Sequence, residues 1–339
     1  MPDSTYTING SLGSPYSLKM RAIMRYRQIP HVWSQLNGLN REAAFSQVKV
    51  PVVPIIEYPD GSFHNDSTPM VIDLETAHTE RSIVPDDEAQ AFLAWFLEDM
   101  GDEWATKMMF HYRWFRERDQ EQMSRWLVFD NTYVMGPGTK TIEDQAAFIK
   151  DRQVGRMAIV GCTPQNKPLI EETAAEALEL LNEHVTTEPF FFGSRPSVAD
   201  FSWFGQFSQL ATDPTSYDLL REKYLFALRW IQNADDLGGV EGEWRDAEAP
   251  LSPLIEGLLK MAGEVYLPFL EANAKAFEKN EAAFSFIGRG HTYEQATFKY
   301  QVKCLADLRQ RFSDLSDEAK EKLEPILKKA KCWAVLNQD

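Results

Sequence analysis

The sequence predicts a two-part chain: an α/β domain over residues 1–85, followed by an all-helical region. Three observations lead there. Short strand-like runs alternate with helix-compatible pieces in the first 85 residues. An Asp60-Gly61 pair sits between two extended runs, the strongest short hairpin signal. Beyond Asp86 the strand-like runs stop and long helical patterns take over.

The elements follow in order. Tyr6–Asn9 reads as a strand, and a Gly/Ser/Pro loop follows it. Leu18, Met20, Ile23, Met24 and Tyr26 have mainly helical spacing and end before Ile29-Pro30. Val32–Leu36 reads as a second strand, and Arg41–Gln47 as a polar helix. Val52–Tyr58 and Ser62–Asn65 flank Asp60-Gly61, and Ser67–His78 closes the set as a helix. The predicted order is β-α-β-α-β-β-α. Helical candidates then run through 88–125, 142–157, 169–185, 197–211, 216–233, 251–278, 291–312 and 315–332, with a loop at 133–138. The Gly/Glu/Asp-rich stretch Gly238–Pro250 reads as a connection, so three units are expected: 1–85, 86–237 and a helical extension at 238–339.

The bulk numbers narrow the function. The 339 residues carry a formal net charge of −16, from 51 acidic and 35 basic side chains, a field that repels nucleic acid and anionic membranes. Cys162, Cys304 and Cys332 are widely spaced and form no CxxC pair, which fits a reducing compartment. Neither a signal peptide nor an apolar run of spanning length is evident, so a cytoplasmic location is expected. The six histidines have no paired ligand spacing, and a metal is not expected.

Four segments carry chemistry. Ser14-Pro15-Tyr16-Ser17 opens the first helix; Ser at the N-cap with Pro behind it is a favoured helix start, and it also brings a hydroxyl and backbone N–H groups to one point. Val50-Pro51-Val52-Val53-Pro54 precedes a strand whose first residue can be proline. Asp66-Ser67 heads the third helix, as a cap or as an acid-hydroxyl pair able to hold an ammonium and a carboxylate together. Ser197-Val198-Ala199-Asp200 has the spacing of a capping box and reads as structural.

Together these segments resemble the glutathione transferase family. Ser14-Pro15-Tyr16-Ser17 is similar to the Cys-Pro-Tyr-Cys motif of glutaredoxins with both sulfurs replaced by oxygen, and Gly193 to Asp200 is similar to the family's Gly-x-x-x-Ser-x-Ala-Asp signature. The resemblance covers roughly residues 5–235. It implies a thioredoxin-like N-terminal domain plus an all-α C-terminal domain, the glutathione transferase fold. It also implies glutathione as co-substrate and activation of its thiol for attack on a small hydrophobic electrophile, the kind of conjugation used in detoxification. Ser14 would be the catalytic hydroxyl, with Ser11 and Ser17 as nearby rivals. Val53-Pro54, counted back from Asp60-Gly61, would be the cis Val-Pro turn that meets the cysteinyl part, with Val50-Pro51 as the other register. Asp66 and Ser67 would read the γ-glutamyl end, and Ser17 would lie beside them in the site. Trp104, Met108, His111, Tyr112 and Phe115 lie at helical spacing and read as core. The resemblance makes Met108, His111, Tyr112 and Phe115 candidates for the electrophile pocket, and it implies a homodimer across the first domain and the helix after it. The same fold used as a non-catalytic glutathione-binding or protein-interaction module is the alternative.

Overall fold

The computed structural model describes residues 5–132, 136 and 140–338. Its first unit runs β1 (Tyr6–Gly10), α1 (Pro15–Tyr26), β2 (His31–Gln35), α2 (Arg41–Phe45), β3 (Ile55–Glu57), β4 (Phe63–His64) and α3 (Ser67–Ala77), the order read from the sequence. The strands form one mixed sheet, β2-β1-β3-β4, in which only β1 and β2 are parallel. Ile8 pairs with both Trp33 and Ile56 and is fully buried. The third strand is shorter than the expected 52–58, since Pro54 offers no N–H to a ladder. Gly61 takes φ 83° in the turn that follows, a left-handed conformation glycine adopts without penalty.

Register decides where the loops gather. Asn9 pairs with Ile55 and Ile56 with His64, both antiparallel. The end of β1, the start of β3 and the end of β4 therefore lie at one end of the sheet. Residues 11–14, 53–54 and 65–67 all emerge there.

The helical region begins with α4 (Glu88–Met100), which passes through a π-helical turn at Gly101–Ala105 into α5 (Thr106–Trp114). After a break, α6 (Glu117–Thr132) follows, so the helix expected over 88–125 is interrupted. Then come α7 (Ile142–Val154), α8 (Met157–Val160), α9 (Lys167–His184), α10 (Val198–Leu210), α11 (Pro214–Lys223) and α12 (Leu225–Ala234). The loop expected at 133–138 lies outside the described residues apart from Gly136. At the head of α10, Asp200 accepts from the Ser197 N–H at 2.8 Å while the Asp200 N–H meets Ser197 Oγ at 3.4 Å, a reciprocal cap. α10 packs directly on α1. A Cβ at Gly205 would stand 2.7 Å from the Pro15 carbonyl oxygen, so glycine is what lets the start of α1 seat against the helical region.

The extension contains α13 (Pro253–Met261), a second π-helical turn at Ala262–Tyr266, α14 (Leu267–Glu278), β5 (Ala283–Gly288), β6 (His291–Ala296), α15 (Lys299–Ser313), α16 (Asp317–Lys329) and α17 (Trp333–Leu336). The hairpin corrects two expectations: the region is not all helical, and no helix starts at 291. Phe284, Phe286, Tyr293 and Gln295 alternate toward the interior, a period of two. Arg289 and Gly290, at φ 51° and 80°, make the two-residue turn. α15 and α16 then fold back over the outer face of α4.

Candidate functional site

Ser14 is the N-cap of α1, and its Oγ accepts the Ser17 N–H at 3.2 Å. Capping occupies a lone pair and leaves the hydroxyl proton free to donate, so the structural and chemical readings of this serine are compatible. Ser17 is fully buried, and its Oγ accepts the Ser11 N–H at 3.3 Å, which fixes the turn. Tyr16 is half-buried beside it, with its hydroxyl donating to the Asp102 carbonyl at 2.9 Å.

Of the two Val-Pro pairs, Val53-Pro54 is the cis one. Pro54 is buried, and neither the N–H nor the C=O of Val53 bonds to any described residue. This turn is tied to the next by Asn65 Nδ2, which donates to the Val50 carbonyl at 2.7 Å.

Asp66 precedes α3 with φ 80° and ψ 109°, a costly backbone for a residue with a Cβ, and its side chain does not cap its own helix. The Ser67 and Thr68 N–H groups have no partner among the described residues. Beneath them lies a buried charge cluster. Lys19 Nζ, from α1, donates to Glu98 Oε1 at 2.7 Å and to Asp102 Oδ2 at 2.6 Å. Lys19 Nζ also approaches Ser67 Oγ at 3.4 Å, and Ser67 Oγ donates to Asp102 Oδ2 at 3.2 Å. Burial opposes the lysine's charge, but Asp102 and Glu98 outweigh it and hold the ammonium above the usual lysine value. Burial pushes the Glu98 carboxyl up, against the pull of Lys19. The π-helical turn presents Asp102 to this cluster, so the two helix starts at Ser14 and Ser67 share one ionic foundation.

The helical region meets the Ser14 turn through residues that sequence reasoning missed. Arg113 Nη1 donates to the Gly13 carbonyl at 2.9 Å, while its Nε reaches both Asp213 oxygens at 3.0 Å. Asp130, near the end of α6, faces Gly13, and burial pushes its carboxyl up to about 6 despite the Gly13 backbone and Arg113. The four pocket candidates sit elsewhere. At about 100° per residue, Arg113 points to the side of α5 opposite the stripe of Met108, His111, Tyr112 and Phe115. That stripe turns toward α9, with His111 2.9 Å from Glu171 and Met108 and Tyr112 buried in the core. Met108, His111 and Tyr112 are buried within the helical region, and Phe115 is half-buried against the His111 ring, on the side of α5 away from the Ser14 turn.

A second missed residue comes from the extension. The Tyr300 hydroxyl, in the first turn of α15, lies 3.0 and 3.2 Å from the two Asp66 carboxylate oxygens. Next to it, Gln301 Nε2 donates to Glu103 Oε2 at 3.2 Å. Nothing in the local pattern around Tyr300 signals a partner 234 residues away.

Among the described residues, no helix is long and apolar enough to cross a membrane. The family model described as the glutathione S-transferase N-terminal domain matches residues 13–77, and the one for the C-terminal domain matches residues 161–233. Similar solved structures include a glutathione S-transferase from Rhodospirillum rubrum, 14% identical over 67% of this chain and 86% of that one, with a TM-score of 0.43. A glutathione S-transferase from Methylobacterium radiotolerans in complex with glutathione sulfonate is 14% identical, covering 73% and 100% of the two chains, with a TM-score of 0.40. The Tau class enzyme of mango, Mangifera indica, is 16% identical over 68% and 87%, with a TM-score of 0.39. No curated protein matches the chain in sequence. The chain thus carries, in chain order, a thioredoxin-like unit and a helical region that match the N-terminal and C-terminal domain models of the glutathione S-transferase family.

Proposed function

We propose that this protein is a glutathione transferase that activates the glutathione thiol beside Ser14 for attack on a small hydrophobic electrophile. One observation carries the reading. Three groups that match the parts of the tripeptide emerge at one end of the sheet: a hydroxyl free to donate at Ser14, the unpaired N–H and C=O of Val53, and an uncapped helix start at Asp66-Ser67. The γ-glutamyl carboxylate fits the bare Ser67 and Thr68 N–H groups, and its ammonium fits Asp66. The cysteinyl backbone pairs with Val53, and the sulfur comes to the start of α1.

A free thiol has a pKa of about 8.5, so only a few per cent is thiolate at neutral pH. The Ser14 hydroxyl donates to the charged sulfur and not to a neutral one in the same way, which lowers the thiol pKa. The thiolate electron pair then forms a carbon–sulfur bond as the electrophile's leaving group departs with the displaced pair. Arg113 on the Gly13 carbonyl holds the turn that carries Ser14.

Calorimetry with glutathione and turnover of a chloronitrobenzene test this. Ser14→Ala removes a hydrogen bond to a charged group, about 1.5–3 kcal/mol, and should slow conjugation about ten- to hundredfold while raising the pKa of the bound thiol. Unchanged turnover and unchanged thiolate absorbance would remove Ser14 from the mechanism. Tight glutathione binding without turnover across varied electrophiles would favour the non-catalytic module instead. The homodimer implied by the resemblance needs the outer face of α4; with α15 and α16 lying on that face, we expect a monomer.

A further inference from the structure

The extension reaches the proposed glutathione site at its γ-glutamyl end, through Tyr300. We infer that Tyr300 is a positioning residue of that site, holding the Asp66 carboxylate away from its own helix so that it receives the ligand's ammonium. This rests on the glutathione-binding reading above and adds a role for a segment that reading leaves out.

The geometry supplies the argument. An aspartate at an N-cap ordinarily turns its carboxylate onto the N–H groups of its helix. Here Pro69 removes one of those donors, and the Asp66 carboxylate lies instead against the Tyr300 hydroxyl. The consequence is twofold. The Ser67 and Thr68 N–H groups are left for an incoming carboxylate, and Asp66 keeps lone pairs for an ammonium beside it. An amino acid head bears both charges on one carbon, so the two vacated functions must be presented together. Tyr300 spends its single proton on Asp66, and its oxygen retains lone pairs that an ammonium N–H can also use. Burial and the charge of Asp66 keep the phenol protonated well beyond neutral pH, so it remains a donor.

Tyr300 is itself held. Asn273 on α14 clamps the residue before α15, accepting the Phe298 N–H at 2.8 Å and donating to its carbonyl at 2.9 Å. The hydroxyl is thus delivered by a braced helix start and not by a free tail.

The test compares two ligands on the full chain: glutathione, and glutaryl-cysteinylglycine, in which hydrogen replaces the ammonium. Wild type should bind glutathione more tightly than the deaminated analogue. Tyr300→Phe keeps the ring and should raise the glutathione Kd about tenfold, while the Kd of the analogue changes less than about twofold. Gln301→Ala, in the same turn, should leave the ratio of the two constants unchanged. Tighter glutathione binding by Tyr300→Phe would make the tyrosine a lid competing with the ligand and overturn the inference. An altered ratio in Gln301→Ala would assign the effect to docking of α15 and overturn it too. Glutathione binding by wild type with an unchanged ratio in Tyr300→Phe sinks this inference alone, whereas no binding by wild type sinks the function as well.

Discussion

His111 and Glu171 illustrate how one contact redefines a residue. His111 is fully buried, 2.9 Å from Glu171, which also receives Arg116. Burial pushes the Glu171 carboxyl up, but hydrogen bonds from His111 and Arg116 outweigh it and hold it down at about 2. An acid held below its unfolded value of about 4.3 stabilises the native state above that pH, and the stabilisation is lost as pH falls toward about 2. Glu171→Gln should therefore lower Tm at neutral pH, with the gap to wild type closing between about pH 4.3 and 2 in thermal unfolding. A constant gap across that range would show that the pair is not the source. The cysteines point the same way. Burial pushes Cys162 and Cys332 up to about 12 and raises Cys304, so none offers a thiolate at neutral pH. Ser14 was legible in the sequence because its cap is local chemistry, and Asp66-Ser67 because the pair heads a helix, although the Asp66 carboxylate makes no cap. Arg113 was not, since a basic residue on a helix gives no sign of which neighbour it will meet.

At the scale of elements, the contact of α1 with α10 sets the candidate site. Gly205 permits it, and Gly205→Ala would place a methyl group 2.7 Å from the Pro15 carbonyl oxygen, where backbone must yield. The expected cost is about 1–3 kcal/mol in urea unfolding, accompanied by weaker glutathione binding because the start of α1 shifts. A loss below about 0.5 kcal/mol would mean that the two helices separate freely. The β5–β6 hairpin carries the opposite lesson. Its signals were present, an Arg-Gly turn between runs alternating Phe, Phe and Tyr with polar residues, but a helical period over 291–312 also fitted. Length and turn chemistry favour the hairpin, and burial of Phe284 and Tyr293 against α14 and its surroundings decides it.

At the scale of the whole molecule, the extension covers α4. Phe312 packs edge-on against Phe92, Arg311 lies 4.3 Å over the Trp95 ring, and Lys322 reaches Asp87 at 3.1 Å. A partner copy cannot use this face while the extension holds it. Light scattering of the full chain should report the mass of one chain, and a stable mass of two would require either another interface or a displaced extension.

The first domain and the starts of its helices were set by the sequence alone: the turn at Asp60-Gly61, the serine before Pro15 and the period of each run act through neighbours within a few residues. Only the tertiary structure decided what faces them. Arg113 on the Gly13 carbonyl, the Lys19 cluster and Tyr300 on Asp66 join residues 48 to 234 positions apart. Such contacts depend on how helix faces pack, which local propensity does not encode.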